Sequence, residues 1–183
     1  MSQVPLVLLD VDGTLLTYAD PENDISDPRI DWQSYAGEGV VRYNPAMPGW
    51  IQELAALAEV RWLTARGTGV RTSLAPALHL PDFEADEAQN FADPAMDWKE
   101  AAVARHLRAG RRVVWADDDI PHGARNDVLH CMGREGAGLL MVRTTLDDGL
   151  TGAHMLRIRA FLATGNQHSG GSGAHLFQEA AAL

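Results

Sequence analysis

Residues 4–14 read Val4-Pro5-Leu6-Val7-Leu8-Leu9-Asp10-Val11-Asp12-Gly13-Thr14, an apolar run that stops on two carboxylates and then turns on a glycine and a hydroxyl. A continuous apolar run of this length reads as a strand buried on both faces of a parallel sheet. The end of such a strand is where an open α/β sheet places its ligands. Asp10 and Asp12 stand two apart at that end, and Gly13 permits the turn that follows. Two carboxylates at one strand tip repel each other, so the arrangement calls for a cation.

The rest of the chain continues the alternation. Met47 to Ala58 carries Trp50, Ile51, Leu54 and Leu57 at helical spacing, and Glu59 to Thr64 reads as a strand. Gly67 to Leu80 predicts a second helix with Val70, Leu74 and Leu78 on one face, and a short strand is expected over Asp82 to Asp86. Asp97 to Arg108 predicts a third helix, with Asp97 as N-cap and Gly110 as its stop. Arg111 to Ala116 is a buried strand that runs into Asp117-Asp118-Asp119. Leu139 to Val142 is another strand, and Thr151 to Leu162 a final helix with Met155, Ile158 and Leu162 as its core stripe. Strands and helices in this order imply a parallel sheet with helices on both faces. Thr164 to Gly173 has flexible-linker composition, and Ala174 to Leu183 reads as a weak helix or a frayed tail.

Composition narrows the function. A chain of 183 residues, 46% hydrophobic, is expected to fold as one domain with a sizeable core. No apolar stretch reaches the roughly 18 residues of a membrane span, and the first strand lacks the basic leader of a signal peptide. Cys131 is the only cysteine, which excludes an internal disulfide and fits a reducing cytoplasm. The net charge of −10 argues against extended nucleic-acid binding, which draws on many Lys and Arg contacts to phosphate. Lys99 is the only lysine among 15 basic side chains. An ammonium is a compact point charge where a guanidinium is a wide fork, so this one amine invites a specific explanation. The seven histidines are scattered and give no zinc spacing.

Asp-x-Asp-Gly-Thr directly after a hydrophobic strand resembles the first motif of the haloacid dehalogenase (HAD) superfamily, mostly Mg²⁺-dependent phosphatases. The resemblance implies a Rossmann-like, doubly wound parallel sheet. It also implies three further motifs, and the sequence supplies a match for each. Thr64, in Trp62-Leu63-Thr64-Ala65-Arg66, stands where the second motif places a hydroxyl for a phosphoryl oxygen. Lys99 matches the third motif, whose ammonium holds phosphate oxygens and offsets the nucleophile's charge. Asp117 and Asp118 match the fourth motif's acidic pair, with Asp119 read as a loop cap and Asp127 as a reserve ligand.

Carried over residue by residue, the resemblance makes Asp10 the nucleophile that forms an aspartyl-phosphate and Asp12 the general acid and base. Mg²⁺ is implied at Asp10, Asp12 (through its carbonyl), Asp117 and Asp118. Gly13, Thr14, Thr64, Arg66 and Lys99 are the expected substrate contacts, and His122 is a further candidate.

HAD enzymes usually draw substrate selectivity from an inserted cap domain. Neither the stretch Leu15 to Pro45 nor the stretch Thr64 to Lys99 is long enough for one, so the resemblance is to a capless member with an open site. The expected organisation is a catalytic domain over 1–163, with 17–45 as a flap or lid loop, and a flexible tail over 164–183. Tyr18, Trp32, Tyr35, Arg42 and Tyr43 in the flap region either grip a substrate or pack on one another; the second reading is preferred. Asn44 to Asp118 is also similar to a group of small HAD domains, some associated with RNA-repair proteins.

The expected substrate is a phosphorylated small molecule, nucleotide or macromolecule end, and a homo-oligomer in which a neighbour supplies the lid is compatible with an open site. Two alternatives stay open beside hydrolysis: a phosphotransferase or mutase on the same intermediate, and a HAD-fold binding or regulatory protein with little catalysis.

Overall fold

A computed structural model describes residues 3–17, 31–35, 39–91, 97–124, 128 and 138–164, with backbone alone for 31–35 and 39–41. Its centre is the strand read from the opening sequence, β1 (Leu6–Leu9), every residue of which is buried. A hairpin of β2 (Asp31–Tyr35) and β3 (Gly39–Tyr43) follows, then α1 (Met47–Leu57) and β4 (Glu59–Trp62). After a π turn at Val70–Leu74 and the short α2 (Ala75–Ala77) come α3 (Trp98–Arg108), β5 (Val113–Asp117), β6 (Leu139–Arg143) and α4 (Gly152–Thr164).

The main sheet is parallel throughout, in the order β4-β1-β5-β6. Side chains alternate between its faces, as the pleat requires. Val7 and Leu9 of β1 and Val114 and Ala116 of β5 face α1 and α4, joining Ile51, Leu54, Met155 and Ile158 in one apolar cluster. Leu6, Leu8, Val113 and Trp115 face the other way, into a cluster with Ala102, Val103 and Leu107 of α3. The expected α/β sheet with helices on both faces is therefore what the chain forms.

The strand order places the functional end. From β1 the chain moves to β4 on one side, then crosses back to β5 on the other. The crevice beyond the carboxyl ends of β1 and β5 is thus a topological switch point, the usual ligand site of an open α/β sheet. Leu9 lies beside Ala116 in register, so Asp10 and Asp117 emerge side by side. Backbone bonds from Asp10 N–H to the Ala116 carbonyl (3.0 Å) and from Leu63 N–H to the Leu9 carbonyl (2.8 Å) hold the three tips together.

Two expectations are corrected. The helix expected over Gly67–Leu80 breaks into a π turn and one α turn. In a continuous α-helix Pro76 would collide with the carbonyl of Thr72, and the Gly69 carbonyl is engaged by the hydroxyls of Thr72 (3.3 Å) and Ser73 (2.7 Å). The strand expected over Asp82–Asp86 is a single bridge, Trp62 to Ala85. Tyr43 is buried in the main apolar cluster and Arg42 is buried completely, in keeping with the preferred reading that these side chains pack inside the protein. Tyr18, Asp127, Cys131 and the tail after Thr164 lie outside the described residues, as do the side chains of Trp32 and Tyr35. Among the described residues no helix is long and apolar enough to cross a membrane.

Candidate active site

The turn after β1 is built on one carbonyl. Val11 C=O accepts from Leu15 N–H (2.8 Å) and Leu16 N–H (2.9 Å), folding Val11–Leu16 back under the strand tip. Gly13 sits in that turn at φ +68°, a left-handed conformation that favours glycine. A Cβ there would lie 2.3 Å from Cγ of Asp118, so the glycine also makes room for that carboxylate. Thr14 is fully buried and its hydroxyl pairs with that of Thr144 at 2.9 Å.

Asp10, Asp117 and Asp118 each bring a carboxylate oxygen to within 4.8 Å of the other two. Asp117 is wholly buried, and three donors hold it. Lys99 Nζ (2.8 Å) and Trp115 Nε1 (3.1 Å) donate to Oδ2, and Asp119 N–H (2.9 Å) to Oδ1. Asp118 is partly exposed and opens toward the crevice.

Lys99 reaches the site because α3 starts beside it. The Asp97 side chain accepts from Lys99 N–H at 2.8 Å, so the N-cap expected from sequence sets where the helix begins and which way its first turn faces. Lys99 Nζ then stands 3.2 Å from Oδ2 of Asp10 and 2.8 Å from Oδ2 of Asp117, its side chain only 16% exposed. The sole lysine of the sequence is the cation between the two strand-end carboxylates.

These contacts set the charges. Burial, with the nearby Asp117 charge, pushes the Asp10 carboxyl up to about 6 although Lys99 pulls it down. Asp118 is raised by burial and by Asp117. Burial works against the Lys99 ammonium, but Asp10 and Asp117 outweigh it and hold that group above its ordinary value. Three crowded carboxylates against one ammonium leave an excess of negative charge, and an all-oxygen donor set of this kind fits a hard divalent cation such as Mg²⁺.

Asp12 is not a member of the trio. Its carboxylate accepts two bonds from Arg66, Nε to Oδ2 at 2.8 Å and Nη2 to Oδ1 at 2.6 Å. Thr64 is buried beyond the end of β4, and its Oγ1 accepts from Arg66 N–H at 3.3 Å, which leaves the hydroxyl hydrogen to donate elsewhere. His122 is exposed on the turn that follows the acidic cluster.

Sequence reasoning placed Arg66 only as a substrate contact; its grip on Asp12 joins residues 54 apart and left no local signal. The Trp115 bond to Asp117 was readable, since residues two apart on a strand share a face. A buried group on the outer edge of β4 was missed entirely: Asp86, whose N–H donates to the Trp62 carbonyl, accepts from Arg61 Nε (2.9 Å) and is bonded to His106 Nε2 (2.7 Å).

No family model matches the chain. No curated protein matches it. Among solved structures it is similar to a variant of the fission yeast RNA polymerase II CTD phosphatase Fcp1 bound to beryllium fluoride, at 15% identity and a TM-score of 0.43 over 91% of this chain and 51% of that one. It is likewise similar to a structure of Fcp1 described as an essential RNA polymerase II CTD phosphatase, at 17% identity and a TM-score of 0.40 over 94% of this chain and 55% of that one. The chain thus spans about half the length of each.

Proposed function

We propose that this chain is a Mg²⁺-dependent phosphomonoester hydrolase of the HAD type, working through an aspartyl-phosphate on Asp10. The observation that carries the reading is the position of Lys99 Nζ, 3.2 Å from Asp10 and 2.8 Å from Asp117 at the switch point of a parallel sheet. A lone ammonium between a nucleophile and a ligand carboxylate suits a site that must accept a phosphate dianion among acids.

In this reading Asp10, Asp117 and Asp118 hold Mg²⁺, which when bound neutralises charge and orients the phosphate. Lys99 and the Thr64 hydroxyl take phosphoryl oxygens. The Asp10 carboxylate attacks phosphorus in line while the bond to the leaving oxygen breaks, and Asp12 gives that oxygen a proton. Asp12 then takes a proton from the water that attacks the phosphorus of the aspartyl-phosphate, releasing phosphate and restoring Asp10. Among the described residues no cap domain stands over the crevice, which is the route by which the substrate would reach the site.

The test is phosphate release from an aryl phosphate and a panel of phosphorylated metabolites, with Mg²⁺ and with chelator, for the unaltered chain and Asp10→Asn. Release that needs Mg²⁺ and disappears in the variant supports the reading. Release that persists in Asp10→Asn sinks it.

A further inference from the structure

A second polar site lies along the β4 edge of the sheet, on the side of α3. A cavity of about 800 Å³ runs beside β4 and the C-terminal end of α3, from Val4 and Glu59 where the strands begin to Ala85 and Asp86 beside Trp62. Its walls carry three guanidiniums, Arg61, Arg105 and Arg111, against two carboxylates, Glu59 and Asp86, together with His106. The local balance is therefore positive in a chain whose net charge is −10.

Two of the guanidiniums are tied down by the acids. Arg61 Nη2 lies 2.8 Å from Asp86, and Arg111 Nη2 lies 2.7 Å from Glu59. Asp86 is only 3% exposed, and its two oxygens are divided between Arg61 and His106. Burial alone would raise the Asp86 carboxyl, but the His106 bond and the Arg61 charge hold it below the usual range. An ionised carboxylate only accepts, so His106 donates through Nε2 and its Nδ1 is left for another partner. Arg105 differs from the other two. It is exposed, has no ion pair among the described residues, and its guanidinium carbon lies over the Phe91 ring at 5.3 Å from the centroid. A cation–π contact with a buried ring helps to hold the guanidinium over the cavity.

We propose that this cavity binds an anionic small molecule of about nucleotide size, its phosphate or carboxylate group taken by Arg105 with Arg111 beside it and a further polar atom by His106. The size follows from the volume, which lies within the range of roughly 300–1,000 Å³ usual for ligand pockets and far exceeds a bare ion. The charge follows from the one guanidinium that the cavity's own acids leave unmatched. The site is separate from Asp10 and stands whether or not that residue forms a phosphoryl intermediate.

Calorimetric titration of the full chain in chelator, with AMP in one arm and citrate in the other, tests it. AMP or citrate is expected to bind the unaltered chain, and Arg105→Glu to weaken that binding by about tenfold or more, the worth of a charge-assisted hydrogen bond. Arg157→Glu makes the same charge change on exposed α4, outside the cavity, and should leave the affinity alone. Binding of AMP alone identifies a phosphate handle, binding of citrate alone a carboxylate handle, and binding of both a general oxyanion site. Absence of binding by both ligands overturns the proposal, as does binding that Arg105→Glu leaves intact or that both variants weaken equally. Residues 105 and 157 are both exposed, so thermal melting should show all three chains equally folded.

Discussion

Arg66 holds Asp12 by both carboxylate oxygens, at 2.8 and 2.6 Å, in a bidentate pair. Such a pair stabilises the anion, and an anion accepts protons but does not donate them. For Asp12 to act as an acid, Arg66 must let go, and an arriving phosphoryl dianion is the natural competitor for the guanidinium. In the proposed mechanism Arg66→Ala therefore removes both a substrate contact and the device that aims Asp12. Turnover of alkyl phosphates, whose leaving oxygen needs a proton, should fall by about a hundredfold. Turnover of aryl phosphates should fall far less, with a raised KM. Steady-state kinetics on the two substrate types checks this; equal losses on both would show that Arg66 serves binding alone.

Lys99 cannot be exchanged for the other common cation. Its Nζ fits between two carboxylates 3.2 and 2.8 Å away, a space for a point charge and not for a planar fork. Lys99→Arg should lose most activity while retaining the fold. Lys99→Met leaves Asp117 buried and short of a partner and should cost about 3 kcal/mol of stability. Urea unfolding of both variants, beside phosphate-release assays, separates the two effects.

Gly13→Ala should damage the metal site more than the fold. The added Cβ would meet the Asp118 carboxyl at 2.3–2.7 Å, in a turn held at φ +68°. The strained backbone should cost about 1–2 kcal/mol, and displacing Asp118 should weaken Mg²⁺ binding by about tenfold or more. Calorimetric Mg²⁺ titration reads the second quantity directly. Unchanged affinity would remove Asp118 from the ligand set.

Mg²⁺ affinity should fall as pH drops through about 6, because the raised Asp10 carboxyl is then protonated and a protonated carboxyl is a poor ligand. The stability of the metal-free chain runs the other way. The folded carboxyl binds its proton more tightly than the unfolded one, whose value is near 3.8. The Asp10 contribution is thus present below pH 4 and is lost as pH rises through about 6. Subtracting the pH–stability curve of Asp10→Asn isolates this term from that of Asp86, whose lowered carboxyl acts in the opposite direction.

The fold was legible where local pattern and tertiary packing agree. Buried runs such as Leu6–Leu9 and Val113–Asp117 announce a parallel sheet, and Asp97 announces the start of α3. The stretch after Gly67 was misread because its apolar spacing is helical while Pro76 and the hydroxyls of Thr72 and Ser73 work against a regular helix. At the site, residue types and strand ends pointed to Asp10, Asp117 and Lys99, since chemistry at a switch point needs charge there. Pairings between distant segments were not legible. Arg66 with Asp12 and Asp86 with His106 depend on how separate elements pack, and no spacing along the chain encodes that.

The seclusion of Lys99 has a practical consequence. Activated esters and acetyl donors react with neutral amines, and the only lysine here is mostly buried and kept protonated by two carboxylates. The folded chain therefore presents no exposed lysine to fluorophores, cross-linkers or acylating enzymes. Acylation detected at that position by mass spectrometry would report that the contact between α3 and the strand tips had opened, which makes amine reactivity a built-in gauge of the site's integrity.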